Sequence, residues 1–440
     1  MSNKLLANKS DFKSILLKGV THSCLLRVGS ASSMLAISVI LGRTLGPENY
    51  GIYAYCLAII NMIAIPTTFG LPEFLVRQIS VYNVNKNWSL LKGLLKSSNF
   101  FVLMISLVLM GLASLGNIFF IGEQSPSYFP FFISLLLIPF VALSNLRAAS
   151  LRGLGRIVLS QLPESIIQPI AFLIIFGLAT LYFESISPAN ALSIRVVSIL
   201  FTFIVGSIIL TSKLPSSVKF SKAKYKIRDW LKHSSSFLIF TGLLFVLNQI
   251  DIIMLGMFQS KSSVGIYKIV ATAAIFVNFV SMAVNTTVGP RMAGSHSLGN
   301  YEELQKLTTL SARLSFFGGL PIACGLIFFG YEILDFIYGD EFALGAKALS
   351  ILCIGHILKT IFGPVTVLLN MTGNQHQTIK TYVAISLLNI LLNFILIPLY
   401  DIEGAALATA VSQVLCDLLL TFPARRKIGI TPYILNFSTK

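Results

Sequence analysis

Eight charged side chains lie where charge is expensive. Arg27, Arg195, Lys268, Arg313 and Lys359, with Glu164, Asp251 and Asp417, all fall inside long apolar stretches of the sequence. An ionised group near a bilayer centre costs about 2.5–3.5 kcal/mol on insertion scales, so such residues are expected to face protein or a watery cavity. Five cations against three acids predict a positive interior, with Glu73 near a helix end as a further acid. Arginine and lysine there would hold an anionic group by charge-assisted hydrogen bonds, which arginine can make bidentately. A carboxylate in low dielectric pairs with a cation, binds an ion or takes up a proton, and Asp251, Asp417 and Glu164 are candidates for the last two. His356, three residues before Lys359, could relay a proton or make one structural hydrogen bond. The five cysteines stand singly in apolar stretches, without metal-ligand spacing, and read as small buried hydrophobes. No metal and no cofactor is expected beyond a coupling Na+ or H+.

Elements that position such charges must be membrane helices. The chain has 440 residues, of which 55% are apolar and only 11% charged, and its mean hydropathy is +0.81. A soluble surface needs roughly twice that charged fraction, so soluble enzymes, nucleic-acid regulators and disulfide scaffolds are excluded. About 20 apolar residues cross a bilayer. Twelve such stretches are predicted, near residues 18–43, 51–75, 98–121, 128–149, 157–182, 189–212, 234–257, 264–290, 308–330, 345–370, 378–399 and 404–422. The first reads as a span, because it is too long for a signal sequence and runs into a second span. Prolines 66, 139, 163, 169, 321 and 364 fall within spans, where each removes a backbone donor and can kink the helix.

Basic residues orient the spans. The formal net charge is +16, and with a cytoplasmic N-terminus 25 of the 33 Lys and Arg fall on the cytoplasmic side, counting span ends with the connections. Only Arg43, Lys261 and Lys347 fall opposite. Both termini are therefore expected inside, and the basic excess is a topology signal with no nucleic-acid partner implied. Residues 214–232 form a basic linker between an N-terminal six-helix lobe, residues 1–213, and a C-terminal one, residues 233–440. The lobes share a repeat: Leu41-Gly42 and Gly51-Ile52-Tyr53 recur, 214 residues later, as Leu255-Gly256 and Gly265-Ile266-Tyr267. A repeat after six spans keeps its orientation, which implies parallel bundles related by an axis along the membrane normal.

Three segments carry a family resemblance. They are Leu41-Gly-Arg-Thr-Leu-Gly-Pro-Glu-Asn-Tyr-Gly-Ile-Tyr53; Asp251-Ile-Ile-Met-Leu-Gly256 with Val264-Gly-Ile-Tyr267; and Asn393-Phe-Ile-Leu-Ile-Pro398 with Gly404-Ala-Ala-Leu-Ala-Thr409. In this order they resemble the bacterial polysaccharide-export flippases, the O-antigen (Wzx-type) transporters of the multidrug/oligosaccharidyl-lipid/polysaccharide superfamily. The resemblance implies an all-α integral membrane protein with two six-helix lobes, in the inner membrane. It also implies a substrate, an undecaprenyl-pyrophosphate-linked oligosaccharide, moved by alternating access and with no bond made or broken. The intramembrane cations would then face the pyrophosphate and glycan, and Asp251 would sit where several relatives have an acid associated with a coupling cation. A polysaccharide polymerase and a chain-length regulator are candidate partners besides the lipid bilayer.

Two other classes compete with this expectation. A membrane polysaccharide polymerase or glycosyltransferase also has many spans, but usually carries its catalytic groups on a long external loop, and residues 331–344 are short for that. A cation-drug exporter of the same superfamily should favour an acidic or aromatic cavity, whereas Arg27 and Arg195 make the N-terminal half basic. The chain has no GxxxxGK[ST] loop, so direct ATP drive through it is not expected.

Overall fold

The structure is a computed structural model. It describes the backbone of residues 2–121 and 125–434, and their side chains apart from residues 2–28, 120–121, 235–241 and 243–248. Among the described residues every regular element is helical: α1 (Ser2–Thr68), α2 (Leu71–Val84), α3 (Trp88–Gly116), α4 (Tyr128–Leu135), α5 (Leu137–Gly153), α6 (Ile157–Leu162), α7 (Gln168–Tyr182), α8 (Pro188–Lys213) and α9 (Ser216–Phe220) are followed by α10 (Ile227–Phe258), α11 (Lys261–Ala274), α12 (Phe279–Ser297), α13 (Tyr301–Phe328), α14 (Gly330–Tyr338), α15 (Asp340–Ala343), α16 (Ala346–Thr360), α17 (Val365–Met371) and α18 (Gln375–Ile428). Among the described residues eight helical stretches are long and apolar enough to cross a membrane, or nine if the pair α16 and α17, bent by 45°, counts as one.

Local chemistry sets the breaks. α1 is interrupted at Gly46, whose φ of 70° a glycine adopts without strain and which precedes Pro47. α18 is interrupted at Asp401, with a φ of 49°. These two longest helices therefore each supply two rods, consistent with the pairs of spans expected there. The second predicted span was drawn to residue 75, but the chain turns earlier, at Phe69 and Gly70, both at positive φ. Pro163 starts a π-helical turn, Pro163–Ile167, between α6 and α7, and Pro364 caps α17 at its bend.

The apolar surface points outward. Along α3, Phe100, Met104, Leu107, Val108, Leu112 and Leu115 are exposed on one stripe, while Gly93, Leu94, Ser98, Val102 and Ser106 are buried on the other. In water such a stripe would be an aggregation hazard; in a bilayer it is the lipid-facing side. The small inner residues let neighbouring helices approach closely. The protein is thus a multi-pass membrane protein.

The chain divides into two compact units, one of residues 1–44 and 56–242, the other of residues 45–55 and 243–440. In the first, α5 packs against α2, α3 and α8. Its core includes Leu75, Leu91, Leu146 and Trp230, whose indole N–H donates to the Tyr82 hydroxyl at 3.2 Å. The basic segment is strapped to α3 by Lys92, whose Nζ donates to the carbonyls of Lys219 and Ser221. A Cβ on Gly93 would strike the Lys224 carbonyl.

In the second unit, α16 packs against α18, α13 and α11, over a core that includes Leu304, Leu368 and Leu420. Residues 45–55 belong to this unit and cross α11 at a pair of glycines. A Cβ on Gly51 would collide with the Lys261 carbonyl, and one on Gly265 with the Pro47 carbonyl. Each added Cβ would also lie 3.0 Å from the other glycine's backbone nitrogen, so Gly51 and Gly265, related by the 214-residue offset of the repeat, are each other's packing partners. Cys56, Cys353 and Cys416 are buried and free, and Cys324 is free and half-buried; Cys24 lies outside the described residues.

Candidate functional site

Asp251, on α10, is 6% exposed and receives three side-chain donors. The Tyr267 hydroxyl of α11 donates to Oδ2 at 2.9 Å, the Thr409 hydroxyl of α18 donates to the same oxygen, and Asn393 Nδ2, also of α18, donates to Oδ1 at 2.8 Å. Asn393 also donates to Asn389, which in turn donates to Ser412 Oγ at 3.3 Å. Asp251 and its three donors, Tyr267, Asn393 and Thr409, each begin or end a stretch quoted for the resemblance.

No cation forms an ion pair with Asp251 among the described residues. Neutral donors orient a carboxylate and lower its cost of burial, but they leave its charge uncompensated. Nearby, Asn393 Oδ1 is buried without a hydrogen-bond partner. The oxygens of Asp251 and Asn393, with Asn389 beside them, make a hard donor set that suits an alkali cation or a proton. Among the described residues no cluster of three or more His, Cys, Asp or Glu could hold a metal ion. Replacing Thr409 with valine removes one charge-assisted bond to the buried carboxylate, and should cost about 1.5–3 kcal/mol of thermal stability in detergent.

A second polar group in this unit surrounds a cavity of about 460 Å³. Lys359 of α16 and Asp417 of α18 both line it, so two of the sequence candidates meet here. The Lys359 ammonium donates to Gln413 Oε1 at 3.4 Å. His356, one turn earlier on α16, is buried, and its Nδ1 lies 2.9 Å from Asn278 Nδ2. That contact makes the imidazole an acceptor held by an amide donor, which is the second of the two alternatives the sequence left open for it.

The remaining candidates are dispersed. Lys268, on α11, is half-buried, and Arg313, on α13, is exposed with its Nε donating to the Ile434 carbonyl at 3.3 Å. Arg195, on α8 in the first unit, is half-buried, with its guanidinium carbon 5.9 Å from the centre of the Phe172 ring and its Nε lacking a hydrogen-bond partner. That is a cation–π geometry which leaves donor capacity open. Arg27 falls where side chains lie outside the described residues. Glu73 lies 3.9 Å from Arg152, as an exposed pair.

Glu164 has a partner that sequence reasoning missed. Arg147 of α5, whose side chain is 3% exposed, is ion-paired with Glu164, whose own is 33% exposed, and Arg147 Nη1 also donates to the Thr202 carbonyl of α8 at 3.0 Å. Gly206 of α8 makes the room, since a Cβ there would occupy the place of the guanidinium. A signal did exist: the turn at residues 154–156 joins α5 to α6, and Arg147 lies seven residues before it and Glu164 eight residues after it. An antiparallel hairpin puts them level, about 12 Å from the turn at 1.5 Å per residue.

Comparison with known proteins places this architecture. The family model described as polysaccharide biosynthesis protein matches residues 16–296, and the MatE model matches residues 238–395. Over 386 residues the chain is 25% identical to the probable low-salt glycan biosynthesis flippase of Haloferax volcanii, covering 87% of this chain and 78% of that one. Over 403 residues it is 23% identical to the putative O-antigen transporter of Shigella flexneri, covering 89% and 93%. Among solved structures, the lipid II flippase MurJ in an inward closed conformation superposes with a TM-score of 0.67 at 19% identity, covering 91% of this chain and 87% of that one. An inward-facing multidrug resistance MATE family transporter of the MOP superfamily superposes with a TM-score of 0.75 at 13% identity, covering 92% and 98%. These two likenesses establish a shared fold.

Proposed function

Since the chain belongs to the polysaccharide biosynthesis protein family, we propose that it is a flippase for an undecaprenyl-pyrophosphate-linked oligosaccharide, an O-antigen or other surface polysaccharide repeat unit. The observation that carries this reading is similarity, over 87–89% of this chain and 78–93% of theirs, to relatives named as a flippase and an O-antigen transporter. The fold neighbours include both a lipid flippase and drug exporters, so fold alone does not choose between them. The substrate enters from the cytoplasm, is moved by alternating access of two six-helix lobes, residues 1–213 and 233–440 joined by the linker 214–232, and leaves on the outer face of the bacterial inner membrane. Both termini are cytoplasmic.

Arg195, with Nε unsatisfied, and Arg27 are suited to the pyrophosphate, because charge-assisted bonds replace the hydration that the anion gives up. Lys268, Arg313 and Lys359 are the other substrate-facing cations. Asp251 is the coupling acid: a carboxylate held by three neutral donors has room for a cation or a proton as its charge partner. Asp417 and Glu164 are secondary coupling candidates, Glu164 less so because Arg147 already neutralises it. Transport of this kind breaks no bond, so the protein acts as a carrier and not as an enzyme. A polysaccharide polymerase and a chain-length regulator are its candidate partners.

The test is the surface glycan of a deletion strain together with its pool of lipid-linked repeat units, separated by gel and mass spectrometry. Accumulation of single repeat units inside, with surface polysaccharide lost, is expected. Single unextended units reaching the surface would instead identify a polymerase. In the same strain an Asp251→Asn chain should reach wild-type abundance in the membrane, because the amide retains most of the hydrogen-bonding shape, and yet fail to restore surface glycan. Full restoration by that variant would remove Asp251 from the coupling mechanism.

A further inference from the structure

The cavity of the second unit is built for an uncharged, hydroxyl-bearing group. Asn278, Ser281 and Asn285 lie three and four residues apart, the first at the end of the short turn Ile275–Asn278 and the other two on α12, and all three line the cavity. Each has a side-chain oxygen buried without a hydrogen-bond partner: Asn278 Oδ1, Ser281 Oγ and Asn285 Oδ1. Buried polar atoms of this kind are rare unless something else satisfies them. Opposite them stand Thr366 of α17 and the phenol of Tyr382 of α18, whose hydroxyls lie 3.4 Å apart.

Charge separates the possible ligands. Among the lining residues there is one cation, Lys359, and one carboxylate, Asp417. Their formal charges cancel, so the cavity has no excess charge with which to hold a pyrophosphate. Amides, hydroxyls, one ammonium, one carboxylate and an aromatic ring are instead the groups that meet sugar hydroxyls, which both donate and accept, while the ring covers an apolar sugar face. The volume of about 460 Å³ lies within the usual range of small-ligand sites, roughly 300–1,000 Å³.

We propose that this cavity is a glycan subsite, which takes a neutral sugar of the oligosaccharide while the pyrophosphate is held elsewhere. This rests on the flippase reading and deepens it. Lys359 then contacts sugar hydroxyls, and rotation of the side chains of Asn278, Ser281 and Asn285, whose oxygens are unpaired, toward the cavity they line lets them bond the sugar as well. Selectivity among repeat units resides in this unit, whereas recognition of the lipid carrier does not.

The experiment compares two probes on the full-length protein in nanodiscs: undecaprenyl pyrophosphate without sugar, and the lipid-linked repeat unit purified from a strain lacking this transporter. Asn285→Leu and, from the opposite wall, Thr366→Val should each weaken binding of the sugar-bearing probe by about tenfold, or 1.4 kcal/mol, and leave the sugar-free probe within about twofold. Thr366→Val keeps the test open if Asn285→Leu fails to fold. Equal weakening for both probes would make the cavity a phosphate site and overturn the proposal. So would unchanged binding of both, which would leave the flippase reading standing. A wild-type protein that binds neither probe would overturn the flippase reading itself, and the subsite with it.

Discussion

A Gly265→Val chain is expected to be made and then lost, with little folded protein recovered in detergent by size-exclusion chromatography. Gly265 is helical, so valine meets no φ barrier there; the obstacle is the Pro47 carbonyl, which occupies the place of any Cβ. A flexible side chain could swing away, but a backbone carbonyl fixed by its own helix cannot. Overpacking a well-filled core typically costs about 1–3 kcal/mol, and a collision with backbone belongs at or beyond the upper end. Gly51→Val should behave alike, because its Cβ would strike the Lys261 carbonyl. Gly294→Ala and Gly325→Ala are the controls: both are helical glycines with nothing within 4 Å of the added atom. They should be neutral or gain up to about 1 kcal/mol from helix propensity. If Gly265→Val has the melting temperature of these controls, the crossing is looser than described.

The second large effect is expected at the ion pair of the first unit. Glu164→Leu leaves the guanidinium of Arg147, 3% exposed, with backbone carbonyls as its only partners and no counter-charge, and breaking a buried pair in this way costs about 3–5 kcal/mol. Arg147→Met should cost less, because Glu164 is one-third exposed and can be hydrated. The double variant, Arg147→Met with Glu164→Leu, should recover much of the loss, since an apolar pair of similar volume removes both desolvation penalties. Thermal melts of the three variants in one detergent would measure this. A double variant less stable than Glu164→Leu alone would show that the arginine stabilises α8 chiefly through the Thr202 carbonyl, and the charge pairing only secondarily.

The helices were legible in the sequence because they obey the bilayer's demand that apolar length be about 20 residues, and the charges within them could be marked as candidates because polarity there is rare. Partners were less so. Asp251, Tyr267, Asn393 and Thr409 could each be quoted as parts of motifs, but periodicity along one helix says nothing about which face of another it meets. Arg147 was read with the inner connection because it lies two residues within the expected end of its span, where snorkelling is the ordinary explanation for an arginine. What moved it inward is Gly206, a residue more than fifty positions away that opens a slot for the guanidinium. The helix breaks show the same limit. Gly46 before Pro47 is a punctuation mark that can be read directly, while Asp401 at positive φ is not.

The assignment of residues 45–55 to the second unit also has a consequence for the time course of biogenesis. Gly51 leaves the ribosome about 210 residues before Lys261 and Gly265, which at roughly 5–20 residues per second is a delay on the order of 10–40 seconds. Throughout that interval the smooth face of the early helix sits in the bilayer without its mate, next to other newly inserted helices that also carry small residues. The N-terminal half therefore cannot complete its own assembly as it is made, and any factor that guards nascent membrane helices would have this segment to guard first.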